Sequence, residues 1–144
     1  MNRRDLLKVS AITVATMAVG ANASENNTSK PMNRLEMKPQ DPKQLNKHEL
    51  KHSPKITVGN KDAKGYTTVE ITIGQGDIIH PSTPDHWIDY IELYADTKLV
   101  GKSLLEAEVS RGKALFAVKL DGVKTLKSNA GCNLHGIWSS EVAL

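Results

Sequence analysis

Cysteine is nearly absent from this 144-residue chain, whose single cysteine, Cys132, lies in the stretch GCNLHGIW. One cysteine cannot form an internal disulfide, so the thiol has four possible roles: an intermolecular bridge, a buried bystander, a reactive nucleophile or a metal ligand. Aromatic residues are also scarce, at 4% of the chain. The apolar run near the N-terminus is too short, and too rich in Ser and Thr, to form a stable membrane span.

A concentrated positive charge is missing as well. The formal net charge is +3, and most of it comes from Arg3, Arg4 and Lys8 near the N-terminus, against Asp5. The remainder of the chain is therefore close to neutral. No basic stretch is interleaved with aromatic residues, so a nucleic-acid partner is not expected.

Residues 1–23 have the pattern of an export signal. The chain opens MNRRDLLK, continues through the mildly apolar VSAITVATMAVG and reaches the small-x-small site Ala21-Asn22-Ala23. The adjacent arginines resemble a twin-arginine signal, which directs export. We expect cleavage after Ala23 by this route, giving a periplasmic protein with no membrane span after cleavage.

Two regions follow the predicted signal. Residues 24–47 are polar and hold three of the six prolines, which predicts a linker or a loosely wrapped arm before one domain over residues 48–144. In that domain YTTVEITIG and KALFAVKLD alternate apolar and polar residues, as half-buried strands do. WIDYIELYA, SLLEAEV and GVKTLK are shorter candidates of the same kind. Short strands separated by turn signals predict an all-β, antiparallel sandwich.

Histidines and the cysteine are grouped in loops of this predicted sandwich. His80 and His86 flank two prolines, which exclude a regular helix and place both imidazoles on a loop. Cys132 and His135 are separated by two residues, a spacing at which a tight turn lets both side chains bind one ion. His52 directly precedes the first strand. These positions favour a shared metal site.

His48 differs from the other four histidines. It lies in a polar stretch, LNKHELK. An isolated exposed histidine is more often solvated than a ligand, and we predict a solvated side chain here.

Three motifs together resemble the iron-centre domain of the superoxide reductases, the neelaredoxin and desulfoferrodoxin group. They are KHSP, HPSTPDHWIDYIEL and CNLHGIW, and the resemblance covers about residues 50–139. It implies a seven-stranded immunoglobulin-like sandwich. It also implies one iron per chain, with these ligands: His52, His80, His86, His135 and the thiolate of Cys132.

The resemblance further implies a reaction and its partners. Iron cycling between Fe²⁺ and Fe³⁺ reduces superoxide by one electron to hydrogen peroxide. Lys51 corresponds to a lysine beside the open coordination position, where it attracts the anion and helps deliver a proton. We expect an exported electron donor, which the sequence does not identify, and a homo-oligomer, because relatives are dimers or tetramers.

The sequence departs from the family pattern in two places. Leu50 stands where relatives often have a glutamate that closes the sixth iron position, and Glu49 is one residue out of register. The ligand of that position is therefore open. No cysteine precedes Cys132, so we expect a one-iron form without a four-cysteine centre.

Three other classes of function also use a single cysteine of this kind. A blue-copper electron carrier also has one cysteine followed by a histidine, but it needs only two histidines and a nearby methionine. A sulfur-carrier or metal-binding accessory module would place Cys132 on a mobile tail. A Cys-His hydrolase would need an orienting Asn or Asp, for which no family-like context is present.

Residues that flank the predicted ligands are expected to support the site or to lie in the core. Gly131 and Gly136 are expected to let the loop wrap closely around the metal. Asn133 is expected to support the sulfur through hydrogen bonds. Four apolar residues after His86 are predicted to lie in the core: Trp87, Tyr90, Ile91 and Leu93.

Overall fold

The computed structural model describes residues 34–144, so the predicted export signal and the first part of the arm lie outside the described residues. Within this range, no helix has the length and apolar character needed to cross a membrane. The elements are one short helix and seven strands: α1 (Lys47–His52), β1 (Pro54–Lys61), β2 (Thr67–Ile73), β3 (Ile88–Ala95), β4 (Lys98–Leu104), β5 (Lys113–Val118), β6 (Thr125–Cys132) and β7 (Gly136–Ala143).

The strands form two antiparallel sheets. One has the order β1-β2-β5 and the other the order β4-β3-β6-β7. The predicted seven-stranded antiparallel β-sandwich is thereby confirmed. Cys132, the last residue of β6, pairs with Gly136, the first residue of β7, so the turn between them lies at one end of the larger sheet.

The core lies between the two sheets. In β2, Val69, Ile71 and Ile73 are at most 2% exposed, and the residues between them are half-buried. They belong to one apolar cluster with Ile91 and Leu93 of β3. Each such side chain contributes about 1.5–3 kcal/mol through burial. The alternation in YTTVEITIG therefore does produce a strand with one buried face.

The segment SLLEAEV is not the strand that its sequence predicts. β4 ends at Leu104, and Glu108 has a left-handed φ of 64° within a turn closed by a hydrogen bond from Ser110 N to Glu106 O. Leu104 and Val109 are 78% and 85% exposed, so of the large apolar residues in this segment only Leu105 packs against the core. One such contact does not extend the strand beyond Leu104.

The segment GVKTLK is only partly a strand. β6 begins at Thr125 and continues to Cys132, beyond the predicted stretch. Its later residues include Ser128, Ala130 and Gly131, which are small and have little strand preference of their own. All three are buried between neighbouring strands, and this tertiary packing extends β6 to the cysteine.

The arm before α1 is hydrogen-bonded to the sandwich. Ile137 N donates to Leu35 O at 2.7 Å and Met37 N donates to Ile137 O at 2.8 Å, which adds a short parallel bridge beside β7. Further along, Gln40 N donates to Glu49 Oε1 at 2.7 Å. The arm therefore links the edge of the larger sheet to α1.

Helix α1 was not predicted from the sequence, because it spans six residues and has no sustained apolar period. It begins with a capping box: Asn46 Oδ1 accepts from Glu49 N at 3.0 Å, and Asn46 N donates to Glu49 Oε2 at 2.8 Å. Ser53 caps its C-terminal end, directly before β1. This short helix carries Lys51 and His52 to the end of the sandwich.

Candidate metal centre

Five side chains from three parts of the fold converge at one end of the sandwich. His52 ends α1, His80 and His86 lie between β2 and β3, Cys132 ends β6, and His135 lies in the turn to β7. The ligand atoms of the first three histidines and of the cysteine lie within 4.8 Å of one another. His135 Nδ1 is 3.2 Å from His86 Nε2 and 3.7 Å from Cys132 Sγ.

The four imidazoles form a closed ring. Distances between neighbouring ring centroids are 4.9 Å for His52–His80, 4.6 Å for His80–His86, 4.8 Å for His86–His135 and 4.7 Å for His135–His52. The diagonal from His52 to His86 is longer, at 5.8 Å. Four nearly equal edges and one longer diagonal describe a four-sided array of imidazoles.

The orientation of two imidazoles is fixed by backbone carbonyls. His52 Nδ1 donates to His48 O at 2.7 Å and His80 Nδ1 donates to Pro81 O at 2.8 Å. Because a carbonyl only accepts, Nδ1 carries the proton and Nε2 keeps its lone pair. Both Nε2 atoms are buried and have no hydrogen-bond partner among residues 34–144. An unsatisfied buried polar atom costs about 1–3 kcal/mol, and a metal ion accounts for both.

The charge state of the imidazoles suits a metal. Burial lowers the pKa of His52 from 6.5 to about 3, and burial likewise lowers the pKa of His80 to about 4. Burial is also the main reason why the pKa values of His86 and His135 are lowered. The imidazoles are therefore neutral at neutral pH, which is the form that binds metals.

Cys132 is completely buried, and burial raises the pKa of its thiol. The backbone N–H groups of Leu134 and His135 act against this effect on the pKa, because they favour the thiolate. A bound cation deprotonates a coordinating thiol outright. Four imidazole nitrogens and one sulfur that gains a charge on binding thus fit a transition metal such as iron.

Asn133 holds the two ligand loops together. Its Oδ1 accepts from Trp87 N at 2.8 Å, and its Nδ2 donates to Asp85 O at 2.8 Å. The expectation that Asn133 supports the sulfur through hydrogen bonds is wrong. Its backbone N–H donates to Trp87 O at 3.2 Å, both ends of its amide are used by the segment that flanks His86, and the N–H groups at the sulfur are those of the next two residues. Asn133 therefore supports the position of His86 relative to the Cys132 turn.

The glycines of the motif serve the fold. A Cβ on Gly131 would overlap the ring of Tyr90 on the neighbouring strand. Gly136 has a φ of 81°, a left-handed conformation that side chains disfavour, where the turn enters β7. Close strand packing and the turn conformation explain the two glycines without a contact to the metal.

Trp138 is a supporting residue that the sequence did not single out. It is 3% exposed, its ring stacks on His52 at 5.5 Å and 24°, and its Nε1 donates to His135 O at 2.8 Å. One signal in the sequence indicated that Trp138 is buried at the site, namely its place two residues after Gly136, on the inward side of a strand.

The four residues predicted to lie in the core differ in burial. Tyr90, Ile91 and Leu93 are buried, and Trp87 is half-buried.

Lys51 and Glu49 have different surroundings. Lys51 is half-buried, and its positive charge contributes to lowering the pKa of His80 and of His86, where burial is the larger cause. Glu49 is 4% exposed, and its two carboxylate oxygens accept from Gln40 N and Asn46 N. Glu49 is therefore committed to the backbone and does not offer a free carboxylate to the metal.

His48 lies beside the array although it is exposed. Its ring centroid is 4.3 Å from that of His52 and 4.8 Å from that of His135. The prediction of a solvated side chain missed this contact. The signal was its spacing of four residues from His52, which places both on one face of a helix.

Comparisons with known proteins agree with this arrangement. The sequence profile of the family described as Desulfoferrodoxin matches residues 43–141. A superoxide reductase of Pyrococcus abyssi is 34% identical over 85 residues, which are 53% of this chain and 73% of that protein. A desulfoferrodoxin of Nitratidesulfovibrio vulgaris is 37% identical over 91 residues, which are 63% of this chain and 62% of that protein.

Solved structures are similar as well. The superoxide reductase from Nanoarchaeum equitans has a TM-score of 0.57 at 28% identity, covering 65% of this chain and 93% of its own. The one-iron superoxide reductase from Giardia intestinalis has a TM-score of 0.57 at 29% identity, covering 65% and 98%. Since the family profile covers well over half of the residues, including every member of the imidazole array and the cysteine, the chain belongs to the desulfoferrodoxin family.

Proposed function

We propose that this protein reduces superoxide to hydrogen peroxide at a single iron held by five side chains: His52, His80, His86, Cys132 and His135. One observation carries the proposal, namely the convergence of four neutral imidazoles on one thiol, with two buried Nε2 atoms left for a metal. When bound, iron supplies the single electron that superoxide accepts. Superoxide then needs two protons to leave as hydrogen peroxide.

The donor set favours iron over the common alternatives. Structural zinc sites use four ligands in a tetrahedron, and blue-copper sites use two histidines and a cysteine. Either would leave imidazoles of this array unused. Imidazole suits iron, and a thiolate donates electron density to it, as in thiolate-ligated haem. An iron held by these five protein ligands would have a coordination position left for the substrate.

Lys51 is proposed to attract superoxide and to help supply a proton. A unit charge 4 Å from the anion contributes about 4 kcal/mol at an effective dielectric near 20 and about 1 kcal/mol in bulk water. Lys51 is half-buried, so its contribution lies between these limits. An ammonium group at this place both raises the local concentration of the anion and carries protons close to it.

Metal analysis and stoichiometry test the proposal. We expect about one iron per chain and, after oxidation, a thiolate-to-iron charge-transfer band that Cys132→Ser abolishes. Leu134→Ser, an exposed position in the same turn, is the control and should keep the band. With an electron donor present, each superoxide consumed should give one hydrogen peroxide without oxygen. Half that yield with oxygen evolution, bound copper, or no bound metal would contradict the proposal.

We also propose that the protein acts in the periplasm and receives electrons from an exported donor. The arginine pair and the small-x-small site within residues 1–23 support this location. Replacement of Arg3 and Arg4 by lysine should retain the protein in the cytoplasmic fraction. A homo-oligomer is part of the same proposal, and light scattering of the purified protein measures its mass.

A further inference from the structure

His48 belongs to a second set of metal ligands that overlaps the first. Ligand atoms of His48, His52 and His135 lie within 4.8 Å of one another, and a separate set joins His52 to His80, His86 and Cys132. His52 is common to both sets. Its Nδ1 is occupied by the carbonyl of His48, so its Nε2 is the one nitrogen it offers to either.

The two sets differ in their access to solvent. His52, His80 and Cys132 are buried, whereas His48 is exposed and His135 is half-buried. A metal ion arriving from water therefore meets His48 and His135 before the buried nitrogens and the thiol. The three-histidine set is the outer set, and the set that contains the cysteine is the inner set.

The sets cannot be filled together. His52 Nε2 binds only one ion at a time. His135 also belongs to the inner array, because its Nδ1 lies near Cys132 Sγ and His86 Nε2. Once the inner set holds a metal, the outer set has lost two of its three ligands. A site with these properties is occupied only before the inner one is complete, which makes it a step in loading.

Glu49 separates this arrangement from a hydrolytic zinc site. His48, Glu49 and His52 have the spacing H-E-x-x-H, in which two histidines on one helix face bind zinc and the glutamate acts as a base. Here the carboxylate is buried and accepts from Gln40 N and Asn46 N. The glutamate is unavailable as a base, while the spacing of the histidines still suits a metal.

We infer that His48, together with His52 and His135, forms a capture site for a divalent transition-metal ion, which then passes to the inner set as His48 is released. The ion moves with His52 and His135 still bound to it, and His80, His86 and Cys132 replace His48. The inference rests on the proposed metal centre. It does not require superoxide as the substrate.

Loading of the full chain with Co²⁺ after removal of iron tests the inference. Cobalt bound by Cys132 gives a thiolate-to-metal charge-transfer absorption in the near ultraviolet, which reports arrival at the inner set. With limiting Co²⁺, we expect His48→Ala to slow the growth of this band at least about tenfold, the scale on which loss of one supporting group weakens metal binding. The final spectrum should equal that of the wild type.

Lys47→Ala is the matched control, because it removes an exposed side chain from the same helical turn. It should load at the wild-type rate. Equal rates for His48→Ala and the wild type would overturn the inference, as would the same slowing in Lys47→Ala. A changed final spectrum in His48→Ala would also overturn it, because His48 would then be a permanent ligand. Failure of superoxide reduction would leave these outcomes unaffected.

Discussion

Glu49 is predicted to stabilise the fold without being a ligand of the metal. Its carboxylate is buried and accepts hydrogen bonds from Gln40 N at 2.7 Å and Asn46 N at 2.8 Å. Hydrogen bonds to a charged group contribute about 1.5–3 kcal/mol each. Gln40 and Asn46 are themselves exposed, so water replaces part of what is lost when the carboxylate is removed. We expect Glu49→Ala to lower the free energy of unfolding by about 2–4 kcal/mol.

Glu49→Gln should have a smaller effect, because the amide keeps one acceptor oxygen of the same shape. It turns its NH₂ group towards the other backbone donor, so about half of the loss, 1–2 kcal/mol, is expected. Urea unfolding of the metal-free protein measures both variants. With a slope of about 1–3 kcal/mol per molar urea, the midpoint of Glu49→Ala should fall by about 1 M or more.

Glu141→Gln is the matched control, because Glu141 is an exposed carboxylate on β7. Its midpoint should remain that of the wild type. The iron-loaded and oxidised form of Glu49→Gln should keep the wild-type charge-transfer band. If the band shifts while the urea midpoint stays unchanged, Glu49 acts on the metal and our account of its role is wrong.

Three further predictions concern the surroundings of the site and one turn remote from it. Asn133→Ala should weaken iron binding about 10–100-fold in a chelator competition. Asn133→Asp keeps the acceptor for Trp87 N and should lose less affinity for iron. An affinity of Asn133→Ala equal to that of the wild type would contradict the bridging role. Lys51→Ala should slow the reaction with superoxide about tenfold at low ionic strength. The rate constants of Lys51→Ala and of the control Lys47→Ala should approach each other as salt is added. A ratio of the two rate constants that does not depend on salt would exclude electrostatic attraction. Asp96 accepts from two backbone N–H groups, chiefly that of residue 124, which hold the pKa of its carboxyl below 3.8; the stability difference between wild type and Asp96→Asn should therefore be complete above about pH 5, and vanish as pH falls through the lowered pKa.

The sandwich and the ligands could be predicted from the sequence where local pattern and tertiary packing agree. In β2, alternation of Val69, Ile71 and Ile73 with polar residues matches one buried face. His80 and His86 lie on a loop, as the two prolines between them require. The remaining ligands were assigned from the three family motifs. Residues 52 and 132 are far apart in sequence, so no local pattern shows that they meet.

Features that depend on distant contacts could not be predicted. The last part of β6 consists of small residues that are extended because strands on both sides pair with them. Helix α1 is too short for a periodic signal and is stabilised by its cap and by Glu49. The place of His48 beside His135 follows from that helix, so it was missed together with it.

The arrangement of the ligands means that a chain with one cysteine gains a cross-link of another kind. A metal bound to α1, to the β2–β3 connection and to the β6–β7 turn ties together segments that are distant in sequence, as a set of disulfides does in many small secreted domains. Unlike a disulfide, this link stabilises the native state by an amount that grows with the logarithm of the free metal concentration, because only the folded chain presents all five donors. The stability of the fold is thus coupled to the same ion that its chemistry requires, and loss of that ion removes the activity and the cross-link at once.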